Sequence, residues 1–136
     1  MKKYLDRVLT VDCLVVNSEG KVLFVTRAAE PYKNYLALPG GYMNFDETAE
    51  QAVIREVKEE TGIILDKVEM FAVYDDPKRD PKQRVSILFI AFADGIPKAA
   101  DDAHKAEFLE VDKIDPTKLA FDHGQMLEDF IEMQSI

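Results

Sequence analysis

The chain has 136 residues, 47% hydrophobic and 32% charged, enough apolar content to bury the core of one globular domain. Its net charge of −9 argues against a non-specific nucleic-acid binder, which would need basic patches. No apolar run reaches the roughly 18 residues of a membrane-spanning helix, so no membrane partner is expected.

The start, Met1-Lys2-Lys3-Tyr4-Leu5-Asp6, lacks the apolar middle of a signal peptide. Cys13 stands alone, which excludes an internal disulfide and suits a buried thiol. A cytoplasmic location is the expectation. "TVDCLVV" and "KVLFVTR" are rich in β-branched residues and read as two strands joined by the turn "NSEG". "NYLALPGGY" reads as a short strand running into a Pro-Gly-Gly turn. From Asp46 to about Thr61 no Pro or Gly interrupts a run of helix formers. Asn44 with Glu47, or Asp46 itself, is the expected cap, and Gly62 suits the position just past the end.

"KVEMFAVYDDP" and "RVSILFIAFADG" then read as strands, with the loop "DDPKRDPKQ" between them. "AEFLEV" is a short strand. "HGQMLEDFIEMQ" is a closing helix, with Met126, Phe130 and Met133 at core spacing. Strands and two helices in this order predict an α/β (α+β) chain: one domain over 1–136, with helices packed on a mixed sheet.

The first helix raises the functional question. Glu56, Glu59 and Glu60 are three or four residues apart and share a face, with Arg55 beside Glu59. Repulsion between exposed like charges costs only about 0.2–0.5 kcal/mol per pair, so a solvated acidic surface is one reading. The other is a site for a hard divalent cation, Mg²⁺ or Mn²⁺, which takes oxygen ligands. The "LPGG" turn, with Gly40 and Gly41, lets backbone approach such a site closely and could add a carbonyl.

The spacing decides between them. Gly41, five residues, Glu47, seven residues, then Arg55-Glu56-Val57-Lys58-Glu59-Glu60-Thr61-Gly62-Ile63 fits G-x5-E-x7-R-E-U-x-E-E-x-G-U at every fixed position, U being aliphatic. Chance agreement is on the order of once in 10⁷–10⁹ windows at ordinary residue frequencies. The pattern resembles the Nudix box of Nudix hydrolases. The resemblance implies a three-layer α/β/α sandwich around a mixed sheet. It also implies metal-dependent hydrolysis of a nucleoside diphosphate linked to a moiety X. By motif position, Glu56 and Glu60 would be the main metal ligands and Glu59 a ligand or a supporting group. Arg55 would pair with Glu47 or Glu59 and hold the carboxylates in place. Glu59, Glu56 or a loop acid would act as base, and Asp102 falls nearest the loop position, with Asp101 as alternative.

Three further stretches bear on X. "VYDDPKRDPKQRVSI", "DDAHKAEFLEV" and "LAFDHGQML" are similar to stretches of Nudix ADP-ribose pyrophosphatases, extending the resemblance over about 36–127. Arg79 and Arg84 offer guanidinium forks for phosphate or ribose oxygens, on a loop stiffened by Pro77 and Pro81. The sequence departs from the expected Arg-Gly-His after the second Asp-Pro, where Lys82-Gln83-Arg84 stands. ADP-ribose is therefore the expected substrate, with AMP and ribose 5-phosphate as products. An oxidised nucleoside triphosphate, or an ADP-ribose-sensing module without catalysis, is the alternative. His104 is expected to be solvated and His123 to make a local hydrogen bond. Tyr35, Phe45 and Phe121 are the candidate adenine platforms. Related enzymes suggest a homodimer.

Overall fold

The computed structural model describes residues 6–100 and 103–134. Its strands and helices are β1 (Leu9–Val16), β2 (Val22–Arg27), β3 (Leu36–Ala37), β4 (Gly40–Tyr42), α1 (Ala49–Thr61), β5 (Glu69–Tyr74), β6 (Val85–Phe92), β7 (Ala103–Leu109) and α2 (His123–Gln134). The expected strands are all present, and the expected "AEFLEV" strand starts earlier, at Ala103. Short 3₁₀ turns at Val111–Lys113 and Pro116–Lys118 were not expected. No helix of the described residues is long and apolar enough to cross a membrane.

The strands form one mixed sheet with β1 at its centre. β1 runs parallel to β6, from Leu9 opposite Val85 to Val16 opposite Phe92, and antiparallel to β2 and β4. β5 lies antiparallel to β6, and β3 and β7 both pair with β2.

Side chains alternate across a strand, so β1 and β6 feed two cores. Val11, Cys13 and Val15, with Phe89 and Ala91, pack under Ala52, Val53 and Val57 of α1. Leu14, Leu88 and Ile90 pack on the other face with Met126, Leu127 and Phe130 of α2. The helices thus cover opposite faces, giving the expected three layers. Burial of Cys13 pushes its thiol far above the ordinary range. Met133, expected in the core, is exposed near the end of α2.

Two features of α1 matter for function. Its cap is Thr48, whose hydroxyl accepts from Gln51 N while the Gln51 side chain accepts from Thr48 N. This capping box replaces the expected Asn44 or Asp46 cap. Gly62 ends the helix at φ 75°, and its N–H donates to Lys58 O.

Candidate functional site

The acidic face of α1 is ordered by Arg55. Its Nε and one terminal nitrogen grip both Glu47 oxygens at 3.0 and 2.7 Å. Its other terminal nitrogen reaches Glu56 at 2.8 Å and Glu59 at 3.1 Å. A last bond runs to Tyr42 O at 2.9 Å. One planar fork therefore fixes three carboxylates and ties α1 to β4. Glu47 also accepts from Asn44 N at 2.6 Å, so the expected Asn44–Glu47 pair exists, but as a loop tie rather than a helix cap.

The charges respond to this arrangement. Hydrogen bonds from Arg55, then from the Asn44 backbone, hold the Glu47 carboxyl below the usual range. Burial raises the Glu56 carboxyl above it, because desolvation outweighs the help of Arg55. Bonding to Glu47 raises the Arg55 guanidinium further still.

The Gly40-Gly41 turn lies directly against these acids. A Cβ on Gly41 would stand 2.6 Å from the Glu56 carboxyl carbon, so only glycine lets that carboxylate rest on the backbone. A Cβ on Gly40 would meet Val11 O at 2.2 Å. Gly40 N donates to Glu60 at 3.3 Å. Among the described residues, no three His, Cys, Asp or Glu side chains form a ready-made metal cage. The donor set still suits a hard dication: the Glu56 and Glu60 carboxylates frame a side-chain-free backbone with carbonyl oxygens. Glu59 is more exposed, at 59% of its side chain. Ala100 N donates to Glu60 O, and Asp101 and Asp102 lie outside the described residues.

Glu60, Gly40 and Gly41 form part of the wall of a cavity of about 360 Å³. Arg27, Arg79, Lys82, Arg84, Phe121 and His123 also line it. The structure thus brings Arg79 and Arg84 to the same cavity as the acidic helix, but uses them differently. Arg79, 6% exposed, clamps Asp122 with two bonds at 2.9 and 2.7 Å and gives a third to Arg84 O. It is a buried brace between the loop and the start of α2. Arg84 donates through two nitrogens to Asp80 and through the third to Tyr42 Oη at 2.8 Å. Burial opposes the Asp80 charge, yet Arg84 and two backbone N–H groups hold its carboxyl below the usual range. Asp80 is thus the post on which Arg84 turns toward β4.

Beneath the cavity lies a polar network that sequence reasoning missed. His123 Nδ1 accepts from Leu38 N at 3.0 Å, and Nε2 faces Asp12 at 3.6 Å. Asp12 also accepts from Ser86 Oγ. The His123 bond is long-range, not local as expected, and it steadies the strand leading into Pro39-Gly40. Burial lowers the His123 pKa below its ordinary value, and the acceptor role of Nδ1 requires the neutral ring. The aromatic candidates separate as well. Phe45 is fully exposed, Tyr35 packs edge-on against Tyr32, and Phe121 alone of the three lines the cavity. Phe121 sits at φ 51°, a region costing a non-glycine residue about 1–3 kcal/mol.

Known proteins share this sequence pattern and fold. The family model described as the NUDIX domain matches residues 6–130. An ADP-ribose pyrophosphatase of Methanocaldococcus jannaschii is 40% identical over 134 residues, 97% of this chain and 78% of that protein. Among solved structures, the NUDIX domain of Shewanella oneidensis NrtR complexed with ADP ribose superposes with a TM-score of 0.88 at 25% identity, covering 96% of this chain and 90% of that one. A bifunctional NMN adenylyltransferase/ADP ribose pyrophosphatase of Francisella tularensis, complexed with AMP and a manganese ion, gives 0.82 at 31% identity. That likeness covers 97% of this chain but only 43% of the Francisella chain.

Proposed function

The chain belongs to the Nudix hydrolase family, and from that premise we propose that it hydrolyses ADP-ribose to AMP and ribose 5-phosphate. One observation carries this reading: a single cavity joins Gly40, Gly41 and Glu60 to the guanidinium of Arg84. Carboxylates for a cation and a fork for phosphate oxygens are the two halves of a diphosphate site. The likeness to the Methanocaldococcus pyrophosphatase over nearly the whole chain supports ADP-ribose as the substrate.

Glu56 and Glu60 would hold Mg²⁺ or Mn²⁺, with Glu59 as a further ligand or support. When bound, the ion neutralises diphosphate oxygens and acidifies the attacking water. The rest falls to the chain's own groups. Arg55 keeps Glu47, Glu56 and Glu59 in fixed positions despite their repulsion. Arg84 donates to diphosphate oxygens, anchored from behind by Asp80. Water adds to one phosphorus, the bridging P–O bond breaks, and the water proton passes to a carboxylate. Glu59 is our choice for that base, because it is the most exposed of the α1 acids bound to Arg55; Asp102 is the alternative.

The test is product identification after incubating ADP-ribose with Mg²⁺, using wild type, Glu56→Gln and Glu60→Gln. AMP and ribose 5-phosphate should form with wild type. Each variant should lose orders of magnitude in turnover while keeping its melting temperature. Near-wild-type turnover in both variants would defeat the site assignment.

A further inference from the structure

Arg27 ends β2 and lines the cavity, and among the described residues no carboxylate lies within ion-pair distance of it. Its Nε donates to Pro31 O at 2.8 Å, which fixes the plane of the guanidinium. The carbon of that guanidinium lies 5.0 Å from the centre of the Phe121 ring. The Arg84 guanidinium lies 5.4 Å from the centre of the same ring. Tyr32 packs edge-on against it at 4.9 Å.

Phe121 therefore gathers two like charges in one cavity, and does so from an unusual backbone conformation at φ 51°. With two guanidiniums and Tyr32 already on it, the ring is a platform for arginines rather than for a nucleobase. Both guanidiniums lie within 5.4 Å of one ring centre and line one cavity, the space a diphosphate would enter. Both groups are donors only, and a guanidinium fork matches phosphate oxygens in pairs.

We propose that Arg27 is a further substrate-binding residue, gripping the diphosphate together with Arg84, and that Phe121 positions the pair. The inference rests on the diphosphate-hydrolysis reading but does not depend on X. Arg27 reads the anion shared by all such substrates, so inorganic diphosphate is the appropriate probe.

The experiment is calorimetric titration of inorganic diphosphate into metal-free protein, for wild type, Arg27→Gln, Arg27→Lys and Phe121→Leu. Melting curves establish that each variant is folded. Loss of charged hydrogen bonds should weaken binding about tenfold or more in Arg27→Gln. Arg27→Lys should recover only part of this, because a point charge replaces the fork. Phe121→Leu should weaken binding in the same direction by less. KM for ADP-ribose should rise in Arg27→Gln by more than kcat falls. Undetectable binding by wild type, or wild-type affinity in folded Arg27→Gln, overturns the inference. Arg27-dependent diphosphate binding without ADP-ribose hydrolysis would sink the substrate reading and leave this inference standing. Hydrolysis of ADP-ribose indifferent to Arg27 would do the reverse.

Discussion

Gly41→Ala should separate catalysis from folding. The new Cβ would lie 2.6 Å from both the carboxyl carbon and one oxygen of Glu56, and 2.8 Å from the other oxygen. Comfortable carbon contacts begin at about 3.5 Å, so the carboxylate must retreat by roughly 1 Å. It is the free end of a flexible side chain, so the retreat costs little stability. It does drag a metal-ligand candidate out of place and disturbs its 2.8 Å bond to Arg55. A displacement of that size at a reacting centre costs on the order of 10²-fold in rate. Gly40→Ala is the contrast. There the Cβ meets Val11 O at 2.2 Å and Asp12 Cα at 2.9 Å, both backbone atoms of the central strand. These cannot step aside, and overpacking of this kind costs about 1–3 kcal/mol or more. The assay pairs kcat on ADP-ribose with Mg²⁺ against thermal melting. Gly41→Ala should melt like wild type and turn over slowly, whereas Gly40→Ala should melt several degrees lower. Wild-type kcat in Gly41→Ala, or its failure to fold, would contradict this role for Gly41.

Three other outcomes follow from the same structure. Arg55→Lys cannot bond both Glu47 oxygens and still reach Glu56 and Glu59, so turnover should fall about 10–100-fold with a raised metal requirement; a metal titration of activity checks it. Asp122→Ala leaves the buried Arg79 guanidinium without its main partner, which should cost about 3–5 kcal/mol in urea unfolding, toward the lower end because Asp122 is partly exposed. His123 has a depressed pKa when folded, so its contribution is complete above its unfolded value of about 6.5 and is lost as the pH falls below that. Urea stability should therefore drop between about pH 7 and about pH 5, less steeply in His123→Gln; equal slopes would contradict this.

The legible parts of the molecule were those written in local patterns. The α1 acids could be read because their spacing from Gly41, Glu47, Arg55 and Gly62 is fixed along one helix and its entry turn. The span of α2 was readable from apolar periodicity, although Met133 sits beyond the part of the helix that the sheet covers. The α1 cap was misread because Asn44–Glu47 and Thr48–Gln51 both satisfy a capping spacing. Arg55 claims Glu47 through tertiary pairing, and no local rule could choose between the two.

Long-range partners were hidden. His123 serves the N–H of Leu38, and Arg79 is consumed by Asp122. Arg27 gave no signal beyond standing at the end of a strand, since its surroundings come from Phe121 far along the chain. The loop arginines both line the cavity, but only the hydrogen-bond pattern distinguishes the brace, Arg79, from the more accessible fork, Arg84.

If the carboxylate helix and the arginine-lined cavity together serve ADP-ribose, substrate preference will show it. Specificity constants for ADP-ribose and 8-oxo-dGTP, measured side by side with Mg²⁺ and with products identified, test it most directly. ADP-ribose should be clearly preferred, with AMP and ribose 5-phosphate released. A preference for the triphosphate, with pyrophosphate released, would contradict it.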